Sequence, residues 1–216
     1  MANINKALLS VSDKSGIVDF ARELAQYNVQ FISTGGTAKI LRESGLEIMD
    51  VSDYTGFPEM MDGRVKTLHP KIHGGVLGVR SNPDHCREMN QYNIESIDMI
   101  VVNVQPFENI TIRPEYSIED VMNTIDIGGM ALLRSAAKNF ESVTVIIDPN
   151  DYGTVINDMR KYDGAVSGET NKHLAVKVFE MTSRYDRFIS EYLRQKVMNG
   201  FSENNIEIPG KKTDMK

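Results

Sequence analysis

Apolar runs of strand length alternate along this chain with stretches in which apolar residues recur every three or four positions. Ala7-Leu8-Leu9-Ser10-Val11 predicts a first strand, and Val29-Gln30-Phe31-Ile32-Ser33 a second. Residues 47–51, 99–104 and 142–147 read as further strands, with a short one over 75–79. The run Met99-Ile100-Val101-Val102-Asn103-Val104 is β-branched throughout its middle, as expected of a strand buried on both faces. Between these runs the period lengthens. Ile17, Phe20, Ala21, Leu24 and Ala25 mark one face of a helix over 14–27, with Ser12 or Asp13 as its cap. Helices are also predicted from the Thr34-Gly35-Gly36-Thr37 break to near Gly45, and over 84–92, 118–125, 130–139 and 149–162. Strands alternating with helices are the pattern of βαβ units, and so of an α/β fold with a mostly parallel sheet flanked by helices.

Two segments depart from that rhythm. Residues 54–75 are Gly-rich and irregular, and a loop of that length inside a compact domain usually has a function. Residues 171–197 form one long C-terminal helical pattern. Leu174, Val178, Met181, Tyr185, Phe188 and Tyr192 fall at near-3.5-residue spacing, flanked by Ala175, Phe179 and Ile189. That stripe is either packed on the chain's own core or part of a subunit interface, and both readings are open. From Asn199 the sequence turns polar, so the expected division is a domain over 1–197 and a flexible tail over 198–216.

Composition narrows the function classes. The chain has 216 residues, 41% of them hydrophobic and 25% charged, enough for one well-packed domain. A net charge of −6 argues against nucleic acid as a partner. No apolar run reaches membrane-spanning length, and the N-terminus lacks a signal-peptide core, so a cytoplasmic location is expected. The single cysteine, Cys86, lies in Asp84-His85-Cys86-Arg87-Glu88, the polar start of a surface helix rather than a nucleophile's setting.

Against this acidic background, Arg64, Lys66, His69, Lys71 and His73 crowd into Gly63–Gly75. An arginine fork, a mobile ammonium and flanking glycines suit a loop that closes over an anionic small molecule. His69 and His73 have the spacing of a metal pair, but Pro70 argues against one helix carrying both, and no metal site is expected. Two turns fall where a parallel sheet presents its ligands: Ser10-Val11-Ser12-Asp13-Lys14-Ser15-Gly16 and Ser33-Thr34-Gly35-Gly36-Thr37, each between a strand end and a helix start. Asn103-Val104-Gln105-Pro106-Phe107 leaves the buried strand with two amides at the sheet edge. Asp126-Ile127-Gly128-Gly129 opens a helix that carries Lys138. An acid and an amine sharing a partly desolvated pocket can move a proton.

Taken together, Ser12–Gly16, Ser33–Thr37, Gly63-Arg64-Val65-Lys66-Thr67-Leu68-His69-Pro70, Asp126–Gly129 and Arg134-Ser135-Ala136-Ala137-Lys138-Asn139 resemble the inosine monophosphate (IMP) cyclohydrolase family, over about 7–195. In most organisms that enzyme is the N-terminal half of a bifunctional purine-synthesis protein; the formyltransferase half has no counterpart here. The resemblance implies a doubly wound, methylglyoxal-synthase-like fold. It implies dehydrative ring closure of a formylated aminoimidazole carboxamide ribotide (FAICAR) to IMP, with no cofactor or metal. It further implies a homodimer with some site residues crossing the interface, and two alternatives stay open: a free-standing enzyme with a separate aminoimidazole carboxamide ribotide (AICAR) transformylase as a partner, or a piece of the bifunctional protein. By the same resemblance, Ser10, Ser12, Lys14, Ser33, Thr34, Gly35, Gly36, Thr37, Arg64 and Thr67 surround the ribose 5′-phosphate and its neighbours. Asn103 reads the base, and Ile127 and Gly128 are further substrate-binding residues. Lys66 stabilises the developing oxyanion, while Asp126 and Lys138 manage the protons.

At Gln105 the family usually has tyrosine, a catalytic position. Glutamine donates a hydrogen bond but no proton, so retained activity with altered efficiency is expected. Two alternatives are a regulatory nucleotide-binding module and a phosphate lyase resembling methylglyoxal synthase.

Overall fold

The computed structural model describes residues 3–105 and 117–197. Five strands form a wholly parallel sheet: β1 (Lys6–Val11), β2 (Gln30–Ser33), β3 (Ile48–Asp50), β4 (Met99–Asn103) and β5 (Thr144–Ile146). Their order is β3-β2-β1-β4-β5. The chain steps outward from β1 to β3, then crosses back to place β4 on the other side of β1. The carboxyl ends of β1 and β4 therefore flank the switch point, where open α/β sheets hold their ligands.

The strand residues explain the layering. Leu8 pairs in register with Ile32 on one side and Ile100 on the other, and all three are buried. β4 is buried from Met99 to Val102, as its unbroken apolar run predicts. Helices α1 (Ile17–Ala25) and α2 (Gly35–Glu43) follow β1 and β2. In α1, Ile17, Phe20, Ala21 and Leu24 are buried at helical spacing. Its cap differs from expectation. Gly16 is the N-cap, and Asp13 instead accepts from Ser15 N at 2.9 Å and Ser15 Oγ at 2.6 Å, closing the turn ahead of the helix.

The irregular segment is shorter than predicted. It lies between α3 (Val51–Thr55) and α4 (Pro70–Leu77). As Pro70 predicts, the helix does not carry both histidines: His73 lies within α4 and His69 just ahead of it. Pro70 sits at the start of α4, where its missing N–H costs nothing, and His69 caps the helix by accepting from Lys71 N at 3.1 Å. This helix covers most of the stretch predicted as a strand over 75–79. α5 (Pro83–Gln91) carries Cys86, and α6 (Ile118–Asn123) opens on a capping box between Ser117 and Asp120. α7 (Gly128–Lys138), α8 (Tyr152–Lys161) and α9 (Gly168–Val197) complete the described helices.

α9 packs along α7 and β5. Leu174, Val178 and Tyr185 are buried there, while Met181, Phe188, Ile189 and Tyr192 lie against the same core, half-buried. The long apolar stripe is thus chiefly intramolecular. Phe179 stays exposed, with the Arg134 guanidinium 5.6 Å from its ring centre. Pro106, Phe107 and the tail predicted over 198–216 lie outside the described residues.

Candidate active site

A cleft of about 630 Å³ opens at the switch point, within the range of small-molecule sites. Ser10, Val11 and Ser12 come from the end of β1, Val102 and Asn103 from the end of β4, and Thr34 from the approach to α2. Arg64, Lys66 and Thr67 come from the basic loop, and Asp126 to Gly129 from the start of α7. Segments more than a hundred residues apart therefore share one cavity.

Two helix N-termini reach it. The Thr34 side chain does not cap α2, so the Thr34–Gly36 turn is left to offer backbone N–H groups to an anion. At α7, Asp126 Oδ1 accepts from Gly129 N at 2.7 Å. Gly129 has to be glycine for that contact: an added Cβ would lie 2.4 Å from Asp126 Oδ2. A Cβ at Gly128 would lie 2.9 Å from Thr67 Oγ1, so the basic loop presses directly on the start of α7.

The basic loop is a tight hairpin. Met60 N donates to Val65 O at 3.1 Å, and Val65 N to Met60 O at 3.3 Å. Met61, Asp62 and Gly63 turn the chain with φ of 54°, 54° and 87°. Two non-glycine residues in the left-handed region cost on the order of 1 kcal/mol each. Arg64 projects from the hairpin to hydrogen-bond Asn123 Oδ1, and Lys66 Nζ lies 2.6 Å from Glu59 Oε2.

Of the predicted residues, Ser10, Ser12, Thr34, Arg64, Lys66, Thr67, Asn103, Asp126, Ile127 and Gly128 line the cleft together. Lys14, Gly35 and Gly36 stand beside it. Lys14 Nζ folds back to Val11 O at 3.1 Å, and its side chain lies near Gly36. Ser33 and Thr37 are buried and serve the sheet instead. Ser33 Oγ donates to Leu9 O at 2.7 Å, and Thr37 Oγ1 bridges Val11 N and Val11 O, both at 3.1 Å. Asn103 faces the cleft, yet its amide holds the β1 loop. Oδ1 accepts from Ser12 N at 2.7 Å and Asp13 N at 2.8 Å, and Nδ2 donates to Asp13 O at 3.0 Å. Gln105 and Lys138 are exposed and do not line the cleft of a single chain. Lys138 sits at the far end of α7 from Asp126.

Three contributors escape a reading of the sequence. Glu59 meets Lys66 only because the hairpin closes. Asn123 meets Arg64 across 59 residues. Tyr185, read as part of an apolar stripe, accepts from Asp126 N at 3.0 Å. Burial pushes the Tyr185 hydroxyl above the ordinary phenol range. Burial also holds His73 below the ordinary imidazole range, with its Nδ1 3.1 Å from Ser135 Oγ and its Nε2 buried without a hydrogen-bond partner among the described residues. Among the described residues, no three His, Cys, Asp or Glu side chains gather as metal ligands.

Fold and cleft define a class: a parallel α/β domain with its ligand cleft at the switch point. The chain belongs to the MGS-like domain family, whose profile matches residues 16–131. Residues 136–216 match the AICARFT/IMPCHase bienzyme family. The chain is 54% identical over 193 residues to the bifunctional purine biosynthesis protein PurH of Magnetococcus marinus, covering 89% of this chain and 36% of that protein. It is 57% identical over 190 residues to PurH of Chlorobium phaeobacteroides, covering 88% and 36%. This chain thus spans little more than a third of the length of these curated relatives. The crystal structure of ForH superposes with a TM-score of 0.76 at 35% identity, covering 87% of this chain and 97% of that one.

Proposed function

We propose that this domain is an IMP cyclohydrolase of purine biosynthesis, closing the formylated carboxamide ribotide (FAICAR) to IMP with loss of water. One observation carries the reading: the α2 N-terminus, Arg64, Lys66 and Asp126 all open onto one cleft, in a chain more than half identical to PurH proteins. That identity does not favour a regulatory module or a phosphate lyase.

The chemistry follows from the cleft. The ribose 5′-phosphate binds at the Thr34–Gly36 turn and Ser12, with Arg64 reaching it from the hairpin. This places the base toward Lys66 and the start of α7. The carboxamide nitrogen attacks the formyl carbon of the same molecule, a step accelerated by holding the two groups face to face. As the new C–N bond forms, the formyl oxygen gains negative charge, which the Lys66 ammonium stabilises. Asp126 accepts the proton leaving the carboxamide nitrogen. That proton passes on to the oxyanion to give the carbinolamine, whose hydroxyl leaves as water with the proton of the former formamide N–H, so that a C=N bond completes the aromatic ring. No step requires an oxidant or a metal.

Lys138 lies outside the single-chain cleft, so its proton-transfer role calls for a homodimer in which one copy's Lys138 enters the other copy's site. An AICAR transformylase, on this or another polypeptide, supplies the formyl ribotide in the cytoplasm. Gln105, exposed just past β4, can donate a hydrogen bond but no proton, so the domain retains activity with altered efficiency.

Crystals soaked with IMP test this placement. The expected density shows phosphate over Thr34–Gly36, the base between Lys66 and Asp126, and a second copy's Lys138 beside it. Density for the nucleotide at any other surface contradicts the reading.

A further inference from the structure

We infer that Glu59 is the positioning residue for Lys66, fixing its ammonium for the ring-closing step. The inference rests on the proposed cyclohydrolase reading of the cleft, and its support is geometric. Glu59 and Lys66 flank the Met60–Val65 bridge, so hairpin closure sets them opposite each other. Lys66 Nζ lies 2.6 Å from Glu59 Oε2, and the Lys66 side chain is only 22% exposed.

The turn is shaped around this carboxylate. Gly63, with φ of 87°, has Glu59 Oε1 2.7 Å from where a Cβ would stand, and Lys66 Nζ at 4.0 Å. Any larger residue there would displace the carboxylate. Met61 and Asp62 adopt left-handed backbone to complete the same turn.

The other charged side chains lining the cleft are Asp62, Arg64 and Asp126. Arg64 is itself a cation, Asp126 is engaged by Gly129 N, and among the described residues Glu59, not Asp62, is the carboxylate within ion-pair distance of Lys66 Nζ. A lysine on four rotatable bonds is a mobile charge, and stabilising a developing oxyanion requires a fixed one. An ammonium carries three N–H donors. Glu59 takes one and orients the other two toward substrate. Because the oxygen charge grows only as the ring closes, the benefit falls on kcat rather than KM.

The test compares Glu59→Gln and Glu59→Ala with the parent chain. Glutamine keeps an oxygen acceptor of the same reach, and alanine removes it. The expected result is a kcat for IMP formation lowered about 10-fold in Glu59→Gln and about 100-fold in Glu59→Ala, with KM within threefold of the parent. In parallel, the rate of Lys66 acylation by an amine-specific reagent, read by peptide mass spectrometry, rises at least threefold in Glu59→Ala. A kcat within twofold of the parent in Glu59→Ala overturns the inference. So do equal losses in both variants that track a lowered melting temperature, which would mark a merely structural hairpin contact. If the parent chain forms no IMP, the cyclohydrolase reading falls. The acylation rates then still decide whether Glu59 holds Lys66.

Discussion

Tyr185 Oη, in the middle of the C-terminal helix, accepts a hydrogen bond of 3.0 Å from the backbone N–H of Asp126. The residue that positions the cleft's acid thus comes from 59 residues further along the chain. Tyr185→Phe removes the acceptor and keeps the ring. Leaving that N–H without it should cost about 1–2 kcal/mol of stability, measured by urea denaturation. The turnover number should fall several-fold, because Asp126 loses its anchor at the mouth of α7. Unchanged stability and turnover would show that the bond is incidental.

Gly129→Ala is a sharper probe of the same carboxylate. The added methyl would lie 2.4 Å from Asp126 Oδ2, so the side chain has to rotate away. A kcat lowered at least 10-fold is expected, with the melting temperature changed by only a few degrees, since alanine favours the helix that follows. Steady-state kinetics at saturating ribotide decide the matter, and full activity would remove Asp126 from the chemistry.

Asn103 ties the end of β4 to the loop after β1 by three hydrogen bonds. Asn103→Ala should destabilise the protein by about 2–3 kcal/mol, at roughly 1 kcal/mol for each bond lost. With the Ser12 loop released, the larger kinetic effect should fall on KM, about 10-fold. A variant that loses kcat alone would instead support direct contact between Asn103 and the base.

His73 should make stability sensitive to mild acid. Its folded-state pKa lies below that of the unfolded chain because burial penalises the imidazolium. The unfolded chain therefore binds the extra proton, and the stability contribution present above about pH 6.5 is lost as the pH falls below it. His73→Gln removes that titration and keeps a partner for Ser135. Urea titrations between about pH 5 and 7 should show a shallower fall in the variant than in the parent. Parallel curves would mean that His73 is not protonated differently on unfolding.

Much of this architecture is legible in the chain. The unbroken apolar run at β4 announces a parallel sheet buried on both faces, and the alternation around it announces the crossover helices. The glycine-rich breaks at Thr34–Gly36 and Ile127–Gly129 stand at two of the cleft's helix starts. Other features depend on contacts that no local pattern encodes. Pro70 reads as a helix breaker, yet at the first helical position its fixed φ begins α4. Ser33 and Thr37 look like phosphate ligands by residue type, but both hydroxyls turn inward to satisfy the β1 backbone. Glu59 has no signature of its own, since its partner is set by a turn with three successive positive φ angles. Lys138 sits on the predicted helix, but the helix carries it away from the cleft of its own chain.

The most direct measurement is the rate at which the chain converts the formyl ribotide to IMP, followed by absorbance, for the parent and for Lys66→Ala. The expected result is catalysed ring closure by the parent, reduced on the order of 10²- to 10³-fold when Lys66 is removed. Ring closure by the parent no faster than in buffer, or unaffected by loss of Lys66, would contradict the placement of the chemistry in this cleft.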